Sequence, residues 1–295
     1  MQYRAESLGL AGHVGTLLME LIHERLGLHY DPSESDRLAD RLGPLVVDRR
    51  LDSFMDFYYQ LKYSPEPDDW SKIMDALSVQ ETYFWREIDQ LRAVADCIVP
   101  SLVDASRGRP IQIWSSACAT GEEPLTIAML LAEAGWFDRA AIQVIASDAS
   151  PAALARARKG EYAERAFRNL PRALKEKYFV ATDNRWSVIP ELHRRVTYDL
   201  VNLVAEDQVR RYASSPVIVC RNVFIYFSDR SIQRVLRVFE RSMPSPAFLC
   251  MGVSESLLRR TSVFDVQEIG GAFVYVKDAS AHGSQAFVSR SGAAS

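Results

Sequence analysis

The chain has 295 residues, about twice the commonest domain size, which excludes a single small domain. Hydrophobic residues make up 48% of the chain and charged residues 25%, so the composition excludes an intrinsically disordered protein. The 35 basic and 38 acidic side chains leave a net charge of −3, which argues against a surface built to bind nucleic acid.

Hydropathy and cysteine content indicate a protein of the cytoplasm. The longest apolar runs are shorter than the roughly 18 residues of a membrane span. His13 and Glu20 interrupt the N-terminal region, where a signal peptide would need an apolar core. The 4 cysteines form no CxxC pair, so we expect reduced thiols, with neither a disulfide nor a bound metal.

The first 75 residues show helical periodicity throughout. Apolar residues recur every three or four positions in four stretches, at residues 14–22, 38–45, 51–61 and 70–77. Gly27 is placed to end the first helix, and Pro65 and Pro67 separate the third helix from the fourth. We predict a small all-α N-terminal domain over residues 1–75, followed by a linker over residues 76–88.

From about residue 111 the pattern changes to short apolar runs that alternate with longer amphipathic stretches, which is typical of a parallel sheet with crossover helices. The predicted strands are residues 111–115, 142–146, 217–220 and 248–251, and the predicted helices are residues 122–134, 151–159 and 231–242. Residues 264–277, with two central glycines, fit an antiparallel hairpin. We therefore predict a doubly wound α/β domain over residues 89–278.

Two segments depart from this alternation. Between residues 161 and 196 the pattern breaks, and residues 186–189 and 195–198 predict a small β insertion over about 163–197. Residues 279–295 are rich in Ser, Ala and Gly, so we expect a disordered tail there.

The loop after the first predicted strand carries a chemical signal. Ligands of open parallel sheets bind beyond the carboxyl ends of the strands. Here residues 116–121 are small and contain one glycine, unlike the G-x-G-x-x-G loop of dinucleotide sites. The next helix opens with Glu122 and Glu123, whose charge would repel a pyrophosphate but suits the sulfonium and ammonium groups of S-adenosylmethionine. The alternative is that both acids only complement the helix dipole.

Polar residues follow three further apolar runs. Asp148 lies roughly 20 to 30 residues beyond the loop glycine, where an acid commonly binds ribose hydroxyls, although a turn or cap role is equally open. Asn202 follows one run, and Arg221 and Asn222 follow the strand at 217–220. We expect a ligand site at these strand ends, with Asx turns as the alternative.

Residues 78–87 lead into a predicted helix whose apolar stripe runs from Phe84 to Leu102. Arg86 is two residues from Phe84, or about 200° around a helix, so it should point away from the packed face. It would then be free to meet a ligand. A solvated surface arginine is the alternative.

Five sequence blocks carry a family resemblance. They read Thr-x-Phe-Trp-Arg-Glu at 82–87, Trp-Ser-Ser-Ala-Cys-Ala-Thr-Gly-Glu-Glu-Pro at 114–124, Ala-Ser-Asp at 146–148, Val-Asn-Leu at 201–203 and Cys-Arg-Asn-Val-Phe-Ile-Tyr-Phe at 220–227. In order and spacing they resemble the bacterial chemotaxis receptor methyltransferases, the CheR family, over about residues 15–277. The resemblance implies a Rossmann-like S-adenosylmethionine-dependent methyltransferase sheet with a small β insertion, preceded by a small helical domain.

The resemblance also implies which residues line the cofactor pocket. They are Gln80, Thr82, Arg86, Glu123, Asp148, Asn202, Leu203, Arg221 and Asn222. Asp148 would bind the ribose, and Arg86 and Tyr226 are implied as the catalytic pair that orients the incoming carboxylate beside the reacting methyl group. Two residues depart from the family pattern, since Gln80 stands where many members have Asn and Trp85 where Phe is usual.

The implied activity is O-methylation of glutamate side chains on the cytoplasmic helical bundle of chemoreceptors, with S-adenosylhomocysteine as the second product. A glutamate carboxylate, with a pKa of about 4.3, is already a nucleophile at neutral pH, so no general base is needed. The 5 histidines lie outside every block, and we interpret them as surface or core residues. We interpret Cys118, inside the loop, as a small packing residue rather than a nucleophile.

Two alternatives stay open. One keeps the cofactor and changes the acceptor to a small molecule or a nucleic acid, which the net charge of −3 disfavours. The other is an S-adenosylmethionine-binding regulatory module without methyltransferase activity, against which the retention of Arg86 and Tyr226 argues.

The resemblance bears on the partner as well. Family members dock on the acidic receptor bundle through a basic face of the helical domain. That face would comprise Arg37, Arg41, Arg49 and Arg50, although interleaved aspartates make a plain solvated surface equally open. Members that tether to a receptor's terminal peptide carry a glycine-rich loop in the insertion, whereas residues 180–187 contain no glycine, so we expect no tethering. We expect a monomer that reaches the membrane only through its receptor and binds no nucleic acid.

Overall fold

The computed structural model describes residues 9–10, 12–106 and 108–278, without the side chains of residues 104–106. The tail predicted over residues 279–295 lies outside the described residues. Within the described part of the chain, no helix is both long and apolar enough to cross a membrane.

Four α-helices form the N-terminal part of the structure. They are α1 (His13–Leu26), α2 (Ser35–Asp48), α3 (Phe54–Tyr63) and α4 (Asp69–Leu77). Their apolar stripes bury Leu18, Leu38 and Phe57 in one shared core. Gly27 ends α1 with a φ of 78°, a left-handed conformation that side chains disfavour. The four predicted helices are confirmed, while the predicted domain boundary at residue 75 falls inside α4 and stays a prediction.

Phe84 anchors the segment between these helices and the rest of the chain. Its side chain is fully buried, and its backbone N–H donates to the Ala166 carbonyl at 2.9 Å. Its ring packs against three aromatic rings at centroid distances between 4.8 and 5.1 Å. These are the rings of Tyr162, Phe167 and Phe179. This burial fixes the path of the residues on either side.

The helix after this segment begins later than its apolar pattern predicts. Trp85 and Glu87 have φ values of 69° and 46°, which an α-helix does not accommodate, so the helix begins at Ile88. The prediction that Arg86 lies on the outer face of a helix is therefore wrong. Arg86 lies in a turn, and the buried Phe84 ring, rather than helical periodicity, sets its direction.

Ten strands follow within the described residues. They are β1 (Ile111–Ser115), β2 (Ile142–Asp148), β3 (Glu161–Tyr162), β4 (Phe179–Thr182), β5 (Arg185–Val188), β6 (Val196–Leu200), β7 (Val217–Cys220), β8 (Ala247–Met251), β9 (Asp265–Ile269) and β10 (Ala272–Lys277). Seven form one sheet in the order β6-β2-β1-β7-β8-β10-β9. The first five of these pair in parallel, and β9 and β10 form the predicted antiparallel hairpin at one edge.

Both faces of the seven-stranded sheet are covered. Ile113 of β1 packs in one apolar core with Leu125, and the next residue, Trp114, packs in the core on the opposite face with Phe239. The helices after α4 are α5 (Ile88–Ala93), α6 (Val99–Ser106), α7 (Glu122–Glu133), α8 (Trp136–Arg139), α9 (Pro151–Lys159), α10 (Arg172–Tyr178), α11 (Pro190–His193), α12 (Glu206–Arg210) and α13 (Asp229–Ser242), with a π-helical turn between α5 and α6. The doubly wound α/β class is confirmed.

The second sheet is small and antiparallel, in the order β3-β5-β4. It contains residues 186–188 of the predicted insertion, but not residues 195–198. β6 instead pairs in parallel with β2 at the edge of the main sheet, so the prediction for residues 195–198 is wrong. An edge strand is half exposed, so β6 lacks the continuous apolar run that marks the central strands of a parallel sheet.

Candidate active site

Four adjacent strands, β6, β2, β1 and β7, end at the same edge of the sheet, and predicted site residues follow them. Asp148 closes β2, Asn202 follows β6, and Arg221 follows β7. After β1, residues 116–121 turn directly into α7. The chain leaves β1 towards β2 on one side and returns later as β7 on the other. This is the switch point of the sheet, where open α/β sheets bind ligands.

A cavity of about 360 Å³ lies at this switch point. Its wall includes the whole predicted set, which is Gln80, Thr82, Arg86, Glu123, Asp148, Asn202, Leu203, Arg221, Asn222 and Tyr226. Leu26, Leu28 and Met74 from the N-terminal helical region complete the wall on another side. The structure therefore brings the ten residues together, whereas the role of each one stays a prediction.

Arg221 is a buried cation with unused donors. Its side chain is 1% exposed, and Nη2 donates to the Arg86 carbonyl at 2.7 Å. Nη2 also lies 3.5 Å from Glu87 Oε2, and Nε lies 3.7 Å from Glu123 Oε2. Among the described residues, Nε and Nη1 have no hydrogen-bond partner. Buried donors without partners are costly, so Arg221 fits a ligand that brings a carboxylate.

Asp148 is held rigidly at the end of β2. Its Oδ2 accepts the Ala119 N–H and its Oδ1 accepts the Ser150 N–H, both at 2.9 Å. Burial raises the pKa of Asp148, against the opposing effect of these backbone donors. Each oxygen still has a lone pair for a ligand hydroxyl, so the fixed carboxylate suits a ribose.

Glu123 adds a second poorly solvated carboxylate. Its Oε1 accepts the Ser115 hydroxyl at 2.7 Å, and burial raises the pKa of Glu123, although Arg221 opposes the shift. A cationic ligand would compensate for the solvent that Glu123 and Asp148 have lost. The charge of the cavity wall thus fits a ligand that carries one carboxylate and a positive group.

Arg86 stands in the turn before α5, partly engaged by its surroundings. Its Nη1 donates to the Glu81 carbonyl at 2.7 Å, and its Nε lies 3.7 Å from Glu87 Oε1. The side chain remains 28% exposed. The guanidinium is therefore held in place, yet it keeps donors that can reach into the cavity.

The N-terminal helical region fixes the position of Tyr226. The Tyr226 carbonyl accepts the His29 N–H at 2.8 Å, and Leu28 pairs with Phe227 in an antiparallel bridge. His29 lines the cavity, so the interpretation of all five histidines as surface or core residues is wrong for His29. The sequence carries no signal for this contact, because the two segments are distant in the chain and meet only in the folded protein.

The side-chain amide groups of two predicted residues form hydrogen bonds with other residues of the protein. Gln80 accepts from Arg156 Nη1 at 2.9 Å and lies 3.4 Å from Ser150 Oγ. Asn202 Nδ2 donates to the Arg25 carbonyl at 2.8 Å, and this bond joins the end of β6 to the end of α1. Both side chains shape the cavity wall even without a ligand.

Glu255 is a residue of this region that sequence reasoning missed. It is buried, and its carboxylate accepts four backbone N–H groups, those of Asn222, Phe224, Ile225 and Gly252, at 2.6 to 3.3 Å. These bonds fix the loop that carries Asn222 and Tyr226. The signal was available, because Glu255 follows the carboxyl end of β8, a strand end that the prediction did not consider.

The structure agrees with a packing role for Cys118. Its side chain is buried, and burial raises the pKa of the thiol well above its usual value. A thiol that stays protonated at neutral pH is a poor nucleophile.

Comparison with known proteins identifies the family. Residues 80–272 match the family model described as CheR methyltransferase, SAM binding domain. The chain belongs to the CheR methyltransferase family. The matched domain contains all ten predicted cavity residues, and S-adenosylmethionine is the ligand that its description names.

Individual relatives extend the similarity beyond this domain. This CheR-family chain is 30% identical over 261 residues to "Chemotaxis protein methyltransferase 2" of Vibrio cholerae, with 88% of this chain and 90% of that protein covered. It is 28% identical over 246 residues to "Chemotaxis protein methyltransferase" of Borreliella burgdorferi, with 81% of this chain and 87% of that protein covered. It is 29% identical over 257 residues to "Probable biofilm formation methyltransferase WspC" of Pseudomonas putida, with 87% of this chain and 60% of that protein covered.

Replacement of Glu255 tests the anchoring of the site loop. In Glu255→Gln an NH₂ group replaces one acceptor oxygen and faces backbone donors. We expect the free energy of unfolding to fall by about 2 kcal/mol and S-adenosylmethionine affinity to weaken roughly 10-fold. Urea unfolding and calorimetry measure both. Glu268→Gln, at an exposed position of β9, is the matched control and should change neither. An unchanged Glu255→Gln variant would contradict the anchoring role.

The raised pKa values of Asp148 and Glu123 predict how S-adenosylmethionine binding depends on pH. Their ionised forms attract the sulfonium, so protonation weakens binding. Because burial raises both pKa values, affinity should begin to fall at a pH above the ordinary carboxyl range of about 3.9 to 4.3, as the pH is lowered from 7 towards that range. Calorimetry across this interval measures the effect, and Asp148→Asn should flatten the slope. A wild-type affinity that stays constant down to pH 4.5 would refute this electrostatic account.

Proposed function

We propose that the protein transfers the methyl group of S-adenosylmethionine to glutamate side chains in the cytoplasmic helical domain of a chemoreceptor. The products would be glutamyl methyl esters and S-adenosylhomocysteine. One observation carries the proposal, namely the buried Arg221 with unpartnered donors in a cavity that Arg86 and Tyr226 also line. The names of the relatives in Vibrio cholerae and Borreliella burgdorferi support the choice of acceptor.

Each part of the cofactor would be bound by a different residue of the cavity. Arg221 would receive the carboxylate of the methionine part, because Nε and Nη1 lack partners. Asp148 would accept the ribose hydroxyls, and Glu123 would offset the positive charge. S-adenosylmethionine supplies, when bound, a methyl group activated by its sulfonium sulfur. No group of His, Cys, Asp and Glu in the described residues is arranged to hold a metal ion.

The acceptor needs orientation rather than activation. A glutamate side chain is ionised at neutral pH, so its oxygen would form the bond to the methyl carbon while the carbon–sulfur bond of S-adenosylmethionine would break towards sulfur. The anion and the sulfonium become a neutral ester and a thioether, and no proton moves. His29 therefore has no proton to remove. Tyr226 and Arg86 would align the carboxylate, and alignment in a water-poor cavity supplies the catalysis.

The proposal includes the setting of the reaction. The protein would act in the cytoplasm as a monomer and reach the membrane only through its receptor, without a tether to the receptor tail. The turn between β4 and β5 is two residues long and contains no glycine, which supports the absence of a tether. The helical domain over residues 1–75, the linker over 76–88 and the catalytic domain over 89–278, with an insertion near 163–197, also belong to this proposal.

Methyl transfer to purified receptor fragments tests the function. Wild-type protein with S-adenosylmethionine should produce glutamyl methyl esters, detected by mass spectrometry, on a receptor from the same genome. Tyr226→Phe should lower the transfer rate roughly 3- to 10-fold and Arg86→Ala roughly 10- to 100-fold, the range expected for a lost neutral and a lost charged hydrogen bond.

Two exposed positions provide matched controls. Tyr63→Phe and Arg194→Ala should leave transfer unchanged, since these side chains are 65% and 71% exposed. Calorimetry on the same samples reports cofactor binding separately. Binding of S-adenosylmethionine without transfer to any receptor would favour a regulatory module and overturn the proposal.

A further inference from the structure

Helix α13 presents four arginines on one face. Arg230, Arg234, Arg237 and Arg241 are spaced by four, three and four residues, and all four are exposed. We call this set the arginine stripe. Residues at such spacing lie above one another on a helix, so the stripe extends about 16 Å along the axis. Successive like charges at this spacing destabilise a helix unless an anion lies nearby.

The carboxylates around α13 do not neutralise the arginine stripe. Asp229 pairs with Arg260 at 2.6 Å, and Glu240 accepts the Thr261 hydroxyl at 2.6 Å, so both acids of α13 are bound by the segment before β9. Glu206 shares a groove of about 290 Å³ with the stripe, but it pairs with Arg210 at 2.6 Å. Within the described part of the chain, no carboxylate lies at ion-pair distance from the stripe. Residues 279–295 contain no Asp or Glu.

The basic face expected on the helical domain is largely engaged in contacts of its own. Arg41 donates to the Leu77 carbonyl at 2.8 Å, Arg49 pairs with the buried Asp69, and Arg37 pairs with Glu34 at 2.8 Å. The contacts of Arg41 and Arg49 hold α2 against α4. The arginine stripe is thus a larger unpaired basic surface than α2 provides.

The stripe begins beside the proposed active site. Arg230 is four residues from Tyr226, and α13 carries the stripe away from the cavity. A protein that presents a glutamate to Tyr226 would therefore lie within reach of Arg230. A partner helix with acidic residues at spacings of three and four would match the stripe charge for charge.

Resting on the proposed function, we propose that the arginine stripe of α13 docks an acidic helical segment of the protein substrate. The stripe lacks the features that would favour other anionic partners. It contains no aromatic side chain on which a base could stack. The apolar residues of α13, such as Ile232 and Phe239, are buried rather than available to a membrane.

Reversal of two charges in the full-length protein tests the docking surface. In Arg234→Glu/Arg237→Glu, the KM for a methyl-accepting receptor fragment should rise roughly 10-fold or more, and its dependence on salt should weaken. The kcat at saturating receptor and the affinity for S-adenosylmethionine should stay within about 2-fold, because neither side chain lines the cavity. Arg172→Glu/Arg194→Glu, with the same charge change at exposed positions, should leave all three unchanged.

A binding assay separates failure of docking from failure of the proposed function. The probes are the receptor fragment and a helical peptide with glutamates at positions i, i+4, i+7 and i+11, with its glutamine counterpart as control. Wild-type protein should bind the acidic peptide, and the stripe variant should lose that binding. If wild type binds but methylates no receptor, docking stands and the proposed function fails. The docking proposal would be overturned if the stripe variant kept the wild-type KM and the wild-type binding of the peptide. It would also be overturned if the variant lost only the ability to bind duplex DNA or anionic vesicles.

Discussion

A guanidinium without enough partners is the constraint around which this site is arranged. Arg221 is almost fully buried at the end of β7, and two of its nitrogens donate to nothing among the described residues. Glu87 and Glu123 lie at 3.5 and 3.7 Å, so they provide charge without short hydrogen bonds. A protein tolerates such an arrangement when a ligand completes it. Glu123 also lines the cavity and contributes the negative charge that a sulfonium requires.

Contacts from several parts of the fold fix the loops around Arg221, so the unpaired donors of this side chain stay accessible to a ligand. Phe84 packs into the aromatic cluster of the insertion and thereby places the turn that contains Arg86. The bridge between Leu28 and Phe227 holds the Tyr226 segment against the N-terminal helical region, and Glu255 holds its other end. Rigid loops lower the entropic cost of ordering a cofactor and an acceptor together.

Features of the fold that depend on local sequence pattern could be predicted, whereas features that depend on contacts between distant segments could not. The apolar runs of β1, β2 and β7 are continuous because both faces are buried, so these strands and the polar residues after them could be predicted. The residues of β6 were predicted as β structure, but their place in the main sheet could not be, because an edge strand is half exposed. The turn at residues 84–87 follows an apolar spacing that suits a helix, and only the packing of Phe84 decides against it. His29 enters through a contact across the chain, for which periodicity gives no signal, whereas Glu255 follows the carboxyl end of β8 and could have been predicted from its position.

The claim about Arg221 can be tested most directly with a cofactor analogue. Calorimetry would compare S-adenosylmethionine with its decarboxylated form, in the wild type and in Arg221→Met. We expect the wild type to lose roughly 10- to 100-fold in affinity when the carboxylate is removed, and the variant to bind both ligands with similar, weak affinity. Equal affinity of the wild type for the two ligands would contradict the assignment of Arg221 to the carboxylate.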